Sequence, residues 1–252
     1  MNKDDFGIIV MEHARPECLR LTKWSLEQCP ELAGLPRWFS VCEPLASCWP
    51  HGDDGWDIVR WNKPLTSVAH HMAATSFALL RCKRVLVLDG DVLVRPTALA
   101  TALAFPDDVP FCSLWRQGAG LEQVCDYTTM SNVVSGKWYG ELLMFLMAEE
   151  FVGMEYSYLG ATYVIKNDET GHDTLYAAWM HKNGYMSRHA SKDQVCHFGF
   201  KGFNNRRCDL YERVFSLPTY EEQAAMVLRI YAEITDREYR ARNGLAPMDF
   251  VP

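Results

Sequence analysis

The segment 84–94, RVLVLDGDVLV, places two aspartates one residue apart between two apolar runs. The four residues before the first aspartate are β-branched or leucine, which is typical of a strand buried on both faces. Asp89 and Asp91 follow at its carboxyl end, where open α/β sheets bind their ligands. Carboxylate oxygens suit a hard divalent cation, Mg²⁺ or Mn²⁺, shared with phosphate oxygens. The pattern predicts a metal-assisted nucleotide site; the alternative is a simple turn supplied by Gly90.

A third carboxylate, Asp173, lies near the start of a predicted helix in the segment 170–185, TGHDTLYAAWMHKNGY. Thr170 is the predicted N-cap, and Gly184 follows the helix end. An aspartate in a first helical turn that faces a crevice can take a proton from a hydroxyl group. The same carboxylate could instead complete a T-x-x-D capping box and act only on helix stability.

The late segment HFGFKGFNNRR begins at His197 and carries Lys201, Arg206 and Arg207. Imidazole is a common metal ligand, so His197 could complete a site with the two aspartates. Glycines permit loop movement, and the cations could close over a diphosphate. The alternative interpretation is a core histidine followed by a solvated basic loop.

Other candidates are individually weaker. His13 and Arg15 follow the first predicted strand, where a nucleotide would rest. Trp115 and Trp138 flank a long loop and could stack on an acceptor sugar or base, although such aromatic residues more often pack in a core.

The elements that would position these residues alternate between strand and helix. Strands are predicted at 7–11, 38–42, 85–88, 109–115 and 156–165. Helices are predicted at 16–28, 66–80, 97–104, 137–150, 170–183 and from 219 to about 243, with loops at 44–56 and 116–136. This alternation predicts an α/β fold with a mostly parallel sheet flanked by helices.

Composition narrows the class of protein. The 252 residues, 48% of them hydrophobic, favour one compact domain. A net charge of -7 gives no global positive field to recruit nucleic acid or an anionic membrane. The sequence shows neither an apolar stretch of about 18 residues nor a leader pattern, so we expect a soluble, cytoplasmic protein. Nine cysteines without a C-x-x-C pair argue against a disulfide framework or a zinc ribbon.

Several of these motifs together resemble a known family. Residues 8–26, IIVMEHARPECLRLTKWSL, are similar to an opening strand and Arg-Pro helix start, and residues 74–92 to a helix, strand and D-x-D. Gly171 to Asp173, with the closing Gly184-Tyr185, are similar to a Gly-Glu-Asp helix in which His172 replaces the glutamate. The pattern, over most of residues 6–200, resembles GT-A superfamily glycosyltransferases, especially inverting family 2.

The resemblance implies a Rossmann-like GT-A domain over residues 1–215, with a C-terminal helical extension over 216–252. It implies transfer of a sugar, with inversion, from a nucleotide sugar (a UDP-sugar favoured) to an acceptor hydroxyl. A saccharide acceptor is favoured, and a modified DNA base is a lesser option. The site residues expected on this basis are Asp89, Asp91 and His197 for Mn²⁺ or Mg²⁺, Asp173 as general base, His13, Arg15, Glu43, Gly90 and Lys201 for the donor, and Trp115, Trp138 and His172 for the acceptor.

Three alternatives stay open. A retaining transferase is suggested by His197, Gly199 and Lys201, which loosely resemble the H-x-x-G-x-x-K ending of family 8 enzymes. An aspartyl-nucleophile phosphatase of the haloacid-dehalogenase type also places D-x-D after a strand, but there the motif opens the chain, whereas 88 residues precede it here. A non-catalytic nucleotide-sugar binder would keep the two aspartates and tolerate the loss of Asp173.

Overall fold

The computed structural model describes residues 5–12, 15–42, 55–115, 131–148, 151–158, 161–165, 172–199 and 208–230. Within these ranges the strands are β1 Phe6–Glu12, β2 Arg37–Cys42, β3 Asp57–Trp61, β4 Arg84–Asp89, β5 Val92–Val94, β6 Phe111–Ser113, β7 Ser131–Ser135, β8 Glu155–Tyr158, β9 Ala161–Val164, β10 Arg188–His189 and β11 Val195–His197. The helices are α1 Pro16–Glu27, α2 Ser67–Leu79, α3 Ala98–Ala104, α4 Gly136–Met147, α5 His172–Asn183, α6 Cys208–Phe215 and α7 Tyr220–Ile230, with a 3₁₀ turn at Pro30–Leu32.

Seven of these strands form one sheet in the order β10-β6-β7-β4-β1-β2-β3. Strand β1 runs parallel to β2 and β4, β2 is parallel to β3, and β10 is parallel to β6. Only β7 in this sheet runs against its neighbours, β4 and β6. The prediction of a mostly parallel α/β sheet is confirmed, and β4, which ends in Asp89, lies in its middle.

Side chains of β1 alternate between the two faces of the sheet. Phe6, Ile8 and Val10 pack into one apolar cluster with α1 and α3, whereas Ile9 and Met11 pack into a second with α2, α4 and α5. All five are at most 1% exposed. Burying one such side chain contributes about 1.5–3 kcal/mol, so contacts on both faces fix the register of β1. Helices therefore cover both faces, as predicted.

A third apolar cluster joins the C-terminal helices to the rest of the described chain. Val227 and Ile230 of α7 pack with Cys18 and Leu21 of α1, together with residues of β5, β11 and α6. Helix α7 begins with the predicted capping box, in which Thr219 Oγ1 accepts the Glu222 N–H at 3.2 Å. The division of the chain at residue 215 stays a prediction.

Several helix starts agree with the expected signals, but several strand segments differ from the prediction. Thr66 caps α2 by accepting the Ala69 N–H at 3.2 Å, and Gly184 ends α5 with a φ of 66°. The predicted strand 156–165 is an antiparallel hairpin of β8 and β9. Strand β7 occupies the end of the predicted loop 116–136, and β3, β5, β10, β11 and α6 were not predicted. Strands β3 and β7 mix apolar with polar residues over five positions, and the other three strands are only two or three residues long.

Two further properties of the described residues bear on the expected class of protein. None of their helices is both long and apolar enough to cross a bilayer. The cysteines described as free thiols are Cys18, Cys29, Cys42, Cys82, Cys112 and Cys196. Burial raises the pKa of Cys29 to about 11 and that of Cys112 to about 12, so these two thiols are protonated at neutral pH.

Candidate metal centre

The two aspartates of the D-x-D motif lie at the carboxyl edge of the central strand. Asp89 ends β4 opposite Met11 of β1, and Asp91 follows one residue later and is almost wholly buried. Between them, Gly90 permits a close approach rather than a left-handed turn. A Cβ at Gly90 would lie 2.8 Å from the Met11 carbonyl oxygen and 2.9 Å from Glu12 Oε2. Only glycine therefore allows the motif to sit this close to the end of β1.

His197 reaches the aspartates through a small antiparallel ribbon. In this ribbon β11 pairs with β5, so that His197 lies opposite Val92. The next residue, Phe198, donates its N–H to the Asp91 carbonyl oxygen at 2.9 Å. His197 Nε2 consequently lies 3.3 Å from Asp91 Oδ1. Potential ligand atoms of Asp89, Asp91 and His197 all fall within 4.8 Å of one another.

A glycine also closes the other side of the cluster. A Cβ at Gly199 would lie 2.6 Å from Asp91 Oδ2 and 2.9 Å from His197 Nε2. From the sequence, Gly199 was interpreted as part of a movable loop and of an H-x-x-G-x-x-K-like ending, and neither interpretation predicts a packing constraint. Its spacing of two residues from a candidate ligand was the signal for a packing constraint at the site.

Arg15 and Glu12 extend the centre toward β1. The Arg15 guanidinium forms an ion pair with Asp91 Oδ2. Glu12, the last residue of β1, is 3% exposed, and its Oε1 accepts the backbone N–H of Arg15. Sequence reasoning selected Arg15 for the donor but missed Glu12. The rule used for Asp89, a carboxylate at the carboxyl end of a buried strand, would have found it.

The two buried carboxylates of the centre, Asp91 and Glu12, have pKa values that are shifted in opposite directions. Burial opposes ionisation of Asp91, but His197 and Arg15 beside it hold the pKa of Asp91 below its usual range. For Glu12 burial prevails over the neighbouring Arg15 and raises the pKa to about 7. Burial lowers the pKa of His197, but the Asp91 carboxylate outweighs this and leaves that pKa above its ordinary value. Asp91 is thus the permanently charged member.

The residues present fit a divalent cation. Asp91 Oδ1 is buried and accepts no hydrogen bond within the described residues; His197 Nε2 is in ion-pair range but lacks hydrogen-bond geometry. A buried acceptor of this kind costs about 1–3 kcal/mol when it has no partner. The 3.3 Å separation of Oδ1 and Nε2 is close to the ~3 Å expected between two neighbouring ligands that each lie ~2.1 Å from one ion. Two carboxylates with one imidazole suit Mn²⁺ and, less well, Mg²⁺.

The remaining predicted donor and acceptor residues are placed unevenly. His13, Glu43 and Lys201 lie outside the described residues. His172 and Asp173 begin α5, where the structure describes the backbone alone.

The direction of α5 shows which edge of the sheet its first turn approaches. Tyr176, one turn into α5, donates or accepts a hydrogen bond with His71 Nδ1 at 3.1 Å. His71 belongs to the start of α2, a helix that begins at the carboxyl edge of the sheet and returns to the amino edge before β4. Tyr185, just beyond α5, instead packs edge-on against Trp138 of α4. The first turn of α5, with Asp173, therefore lies toward the edge that carries Asp89.

The structure does not bring the two predicted acceptor tryptophans to this centre. Trp115 follows β6 at the carboxyl edge, but it is 5% exposed and packs in the first apolar cluster. Trp138 lies in the first turn of α4, next to Gly136, whose N–H donates to the Lys83 carbonyl oxygen at 2.8 Å. This is the amino edge of β4, and six strand residues at about 3.3 Å each separate it from Asp89. Trp138 was expected to contact the acceptor, and this expectation is corrected, because Trp138 lies at the amino edge of the sheet and the candidate centre lies at the carboxyl edge.

Comparison with solved structures places this architecture. The chain is similar to the glycosyltransferase GlyE of Streptococcus pneumoniae TIGR4, with a TM-score of 0.52, 11% identity, and 97% of this chain and 65% of that chain covered. It is also similar to Rv0371c of Mycobacterium tuberculosis H37Rv, with a TM-score of 0.50, 15% identity, and 86% and 100% covered. A third similar structure is the mannosyltransferase PcManGT of Pyrobaculum calidifontis in complex with GDP-Man and Mn²⁺, with a TM-score of 0.49, 13% identity, and 95% and 79% covered.

No family model and no curated protein matches the sequence. The chain spans 65% of the length of the pneumococcal glycosyltransferase. Identities this low carry the fold, and the fold is that of GT-A-like glycosyltransferases, as the sequence motifs predicted.

Proposed function

We propose that this chain is a metal-dependent glycosyltransferase that moves a sugar from a nucleotide-sugar donor to an acceptor hydroxyl. The observation that carries the proposal is the convergence of Asp89, Asp91 and His197 at the carboxyl edge of the central strand of a GT-A-like fold. In open α/β sheets this edge is where ligands bind. The D-x-D phosphatase alternative is tested by the activity screen below, which also measures phosphate release from phosphomonoesters.

Asp89, Asp91 and His197 would hold Mn²⁺ or Mg²⁺. When bound, such an ion supplies positive charge against the negative charge that develops on a departing nucleoside diphosphate. The chain prepares for this by fixing Asp91 from several directions. Arg15 pairs with one carboxylate oxygen, the Phe198 N–H bonds to the backbone oxygen, and Gly199 leaves room beside both.

The donor would lie in the crevice outside the ends of β1 and β4. In the structure Gly90 lies against the end of β1, and Arg15 pairs with Asp91 beside it, so both residues are close to this position. His13, Glu43 and Lys201 are proposed to complete the donor contacts from neighbouring segments. A UDP-sugar is the proposed donor, and the nucleotide panel below tests this choice against other bases.

Asp173 is the proposed general base, and His172 is proposed to contact the acceptor. Inversion requires a base on the face of the sugar opposite the leaving group, within reach of the acceptor hydroxyl. The direction of α5 supports this role, because its first turn approaches the edge of the sheet that carries the D-x-D motif. A capping role for Asp173 is the competing assignment.

A saccharide is the proposed acceptor, and a cytoplasmic location remains part of the proposal. A DNA acceptor would need a basic groove to bind its phosphates. Arg188, a basic residue on β10, pairs with Asp108 at 3.0 Å, so its charge is already opposed and does not support this option.

The test is an activity screen. The full chain is incubated with UDP-, GDP- and other nucleotide sugars in Mn²⁺ or Mg²⁺, with and without a chelator, and nucleoside diphosphate release is measured. Chelator-sensitive release from one donor class supports the proposal, and the anomeric configuration of the product by NMR separates inversion from retention. Release of inorganic phosphate from phosphomonoesters, or donor binding without turnover under every condition, would contradict it.

A further inference from the structure

We infer that Arg15 is a built-in counter-charge that makes the centre bind its cation together with a nucleoside diphosphate rather than the cation alone. This inference rests on the proposed function and concerns the order and coupling of binding at the same site. It differs from the simple donor contact expected from the sequence, because the structure pairs Arg15 with a candidate metal ligand.

The two oxygens of Asp91 have different neighbours. Oδ2 is paired with the Arg15 guanidinium, whereas Oδ1 faces His197 Nε2 at 3.3 Å and accepts no hydrogen bond within the described residues. Arg15 therefore does not occupy the cation position. It orients the carboxylate so that the other oxygen is presented to the cluster.

Arg15 is itself held in place. Its N–H donates to buried Glu12, and its carbonyl oxygen accepts the Leu19 N–H at 3.1 Å at the start of α1. Pro16, the first residue of α1, further restricts the backbone. The side chain is 16% exposed. The guanidinium is thus a fixed charge at the crevice rather than a mobile surface group.

The charges of the centre then set the coupling. Asp89 and Asp91 carry two negative charges and Arg15 one positive charge. His197 must be neutral to bind an ion, so in the ion-binding form these four side chains sum to -1. A divalent cation changes this sum to +1. The cation alone meets a weakened attraction, and the loaded centre attracts a diphosphate more strongly than two aspartates and an ion would. Glu12 lies beside Arg15, and loss of the Arg15 charge would raise the pKa of Glu12 further. The binding measurements are therefore repeated in a Glu12→Gln background, in which this group does not titrate.

The experiment measures Mn²⁺ binding to the full chain by electron paramagnetic resonance of the free ion, with and without UDP or GDP. For Arg15→Gln, whose amide can still donate to Asp91, we expect Mn²⁺ alone to bind about fivefold tighter. We expect the nucleotide to bind the Mn²⁺-loaded variant about tenfold more weakly. We also expect a fall in the coupling, which is the ratio of the Mn²⁺ affinities measured with and without the nucleotide. Arg15→Lys keeps the charge and should retain most of the coupling, and thermal unfolding of each variant controls for folding.

Equal weakening of Mn²⁺ with and without nucleotide in Arg15→Gln would show that Arg15 only anchors Asp91 and would overturn the inference. Unchanged values would overturn it too. If Arg15→Gln does not fold, a loss of coupling in folded Arg15→Lys, or no coupling in the wild type, overturns the inference, while retained coupling in both supports it. Failure of the proposed function looks different: the wild type and Asp91→Asn would then bind Mn²⁺ equally poorly.

Discussion

The two edges of the central sheet differ in how their charged side chains are partnered. At the amino edge a cavity of about 690 Å³ is lined by Asp5, Lys83, Arg84 and Gly136 among others. Its charges have local partners: Lys83 pairs with Asp5 at 3.0 Å, and Arg84 donates to the Ala102 carbonyl oxygen at 3.3 Å. At the carboxyl edge, a buried oxygen of Asp91 accepts no hydrogen bond within the described residues.

A cavity by itself is therefore not enough to mark a functional site in this fold. Buried polar groups in folded proteins nearly always find partners, so an exception calls for an explanation. The amino edge has a cavity, but Lys83 and Arg84 beside it already have partners within the chain. The carboxyl edge has a carboxylate that is fixed in place and directed at other potential ligands. The following variants test whether this contrast is functional.

The largest effect is expected from removing the charge of Asp91. Asp91→Asn should lower Mn²⁺-dependent nucleoside diphosphate release by at least about 100-fold, because the cation loses a ligand and Arg15 loses its partner. Lys83→Ala at the amino edge is the matched control and should change release by less than about twofold, since its exposed ion pair contributes little. Comparable losses in both variants would erase the distinction between the edges.

A loss that is confined to turnover and leaves ligand binding intact is expected at the start of α5. Asp173→Asn should reduce sugar transfer by about 10²–10⁴-fold, because the acceptor hydroxyl loses its proton acceptor. Binding of Mn²⁺ and of UDP or GDP, measured by calorimetry, should stay within about twofold of wild type. Full turnover with a lowered melting temperature would instead assign Asp173 to helix capping.

Glu12 should make stability depend on pH. Burial holds the pKa of Glu12 at about 7, above its ordinary 4.5, so the folded chain keeps a proton that the unfolded chain releases first. Stability from this group is therefore lost as pH rises from about 4.5 through 7, by on the order of 2 kcal/mol. Glu12→Gln should flatten this part of the pH profile in denaturant titrations at pH 5 and pH 8. A parallel loss in wild type and variant would rule out Glu12 as its source.

The smallest effects compare two glycines. Gly199→Ala should weaken Mn²⁺ binding about tenfold, because the new Cβ would press on both Asp91 and His197. Gly140, inside α4, has nothing within 4 Å of an added Cβ. Gly140→Ala should leave Mn²⁺ binding unchanged and raise stability by about 0.5–1 kcal/mol in denaturant unfolding. Unaltered Mn²⁺ affinity in Gly199→Ala would place the ion away from this cluster.

Local signals in the sequence were enough to predict the sheet centre and the D-x-D motif. The apolar run of β4, the Pro at the start of α1 and the capping box of α7 each depend on residues close together in the chain. Strand β7 was not predicted because its Ser and Asn residues are typical of loops. Its strand conformation depends on pairing with β4 on one side and β6 on the other. The same limit applies to Trp138, whose edge of the sheet depends on the direction of β7.

The candidate centre was predictable in part for a similar reason. The two aspartates could be predicted as ligands because they follow a buried strand, and the family resemblance pointed to His197. The ion pair of Arg15 with Asp91 could not be predicted, since it depends on how the end of β1 and the D-x-D turn meet in space. Gly90 and Gly199 lie so close to neighbouring atoms of the centre that neither position has room for a side chain. From the sequence alone, both glycines indicate only flexibility.

The ribbon of β5 and β11 gives the centre a particular place in the folding of the chain. His197 follows the two aspartates by more than 100 residues in the sequence. Its imidazole lies beside them only when β11 pairs with β5. A nascent chain that has been synthesised only as far as β10 would contain both aspartates and Arg15 but would lack the His197 imidazole. The Asp-Asp-His cluster is therefore complete only after the C-terminal part of the chain that contains β11 has packed onto β5.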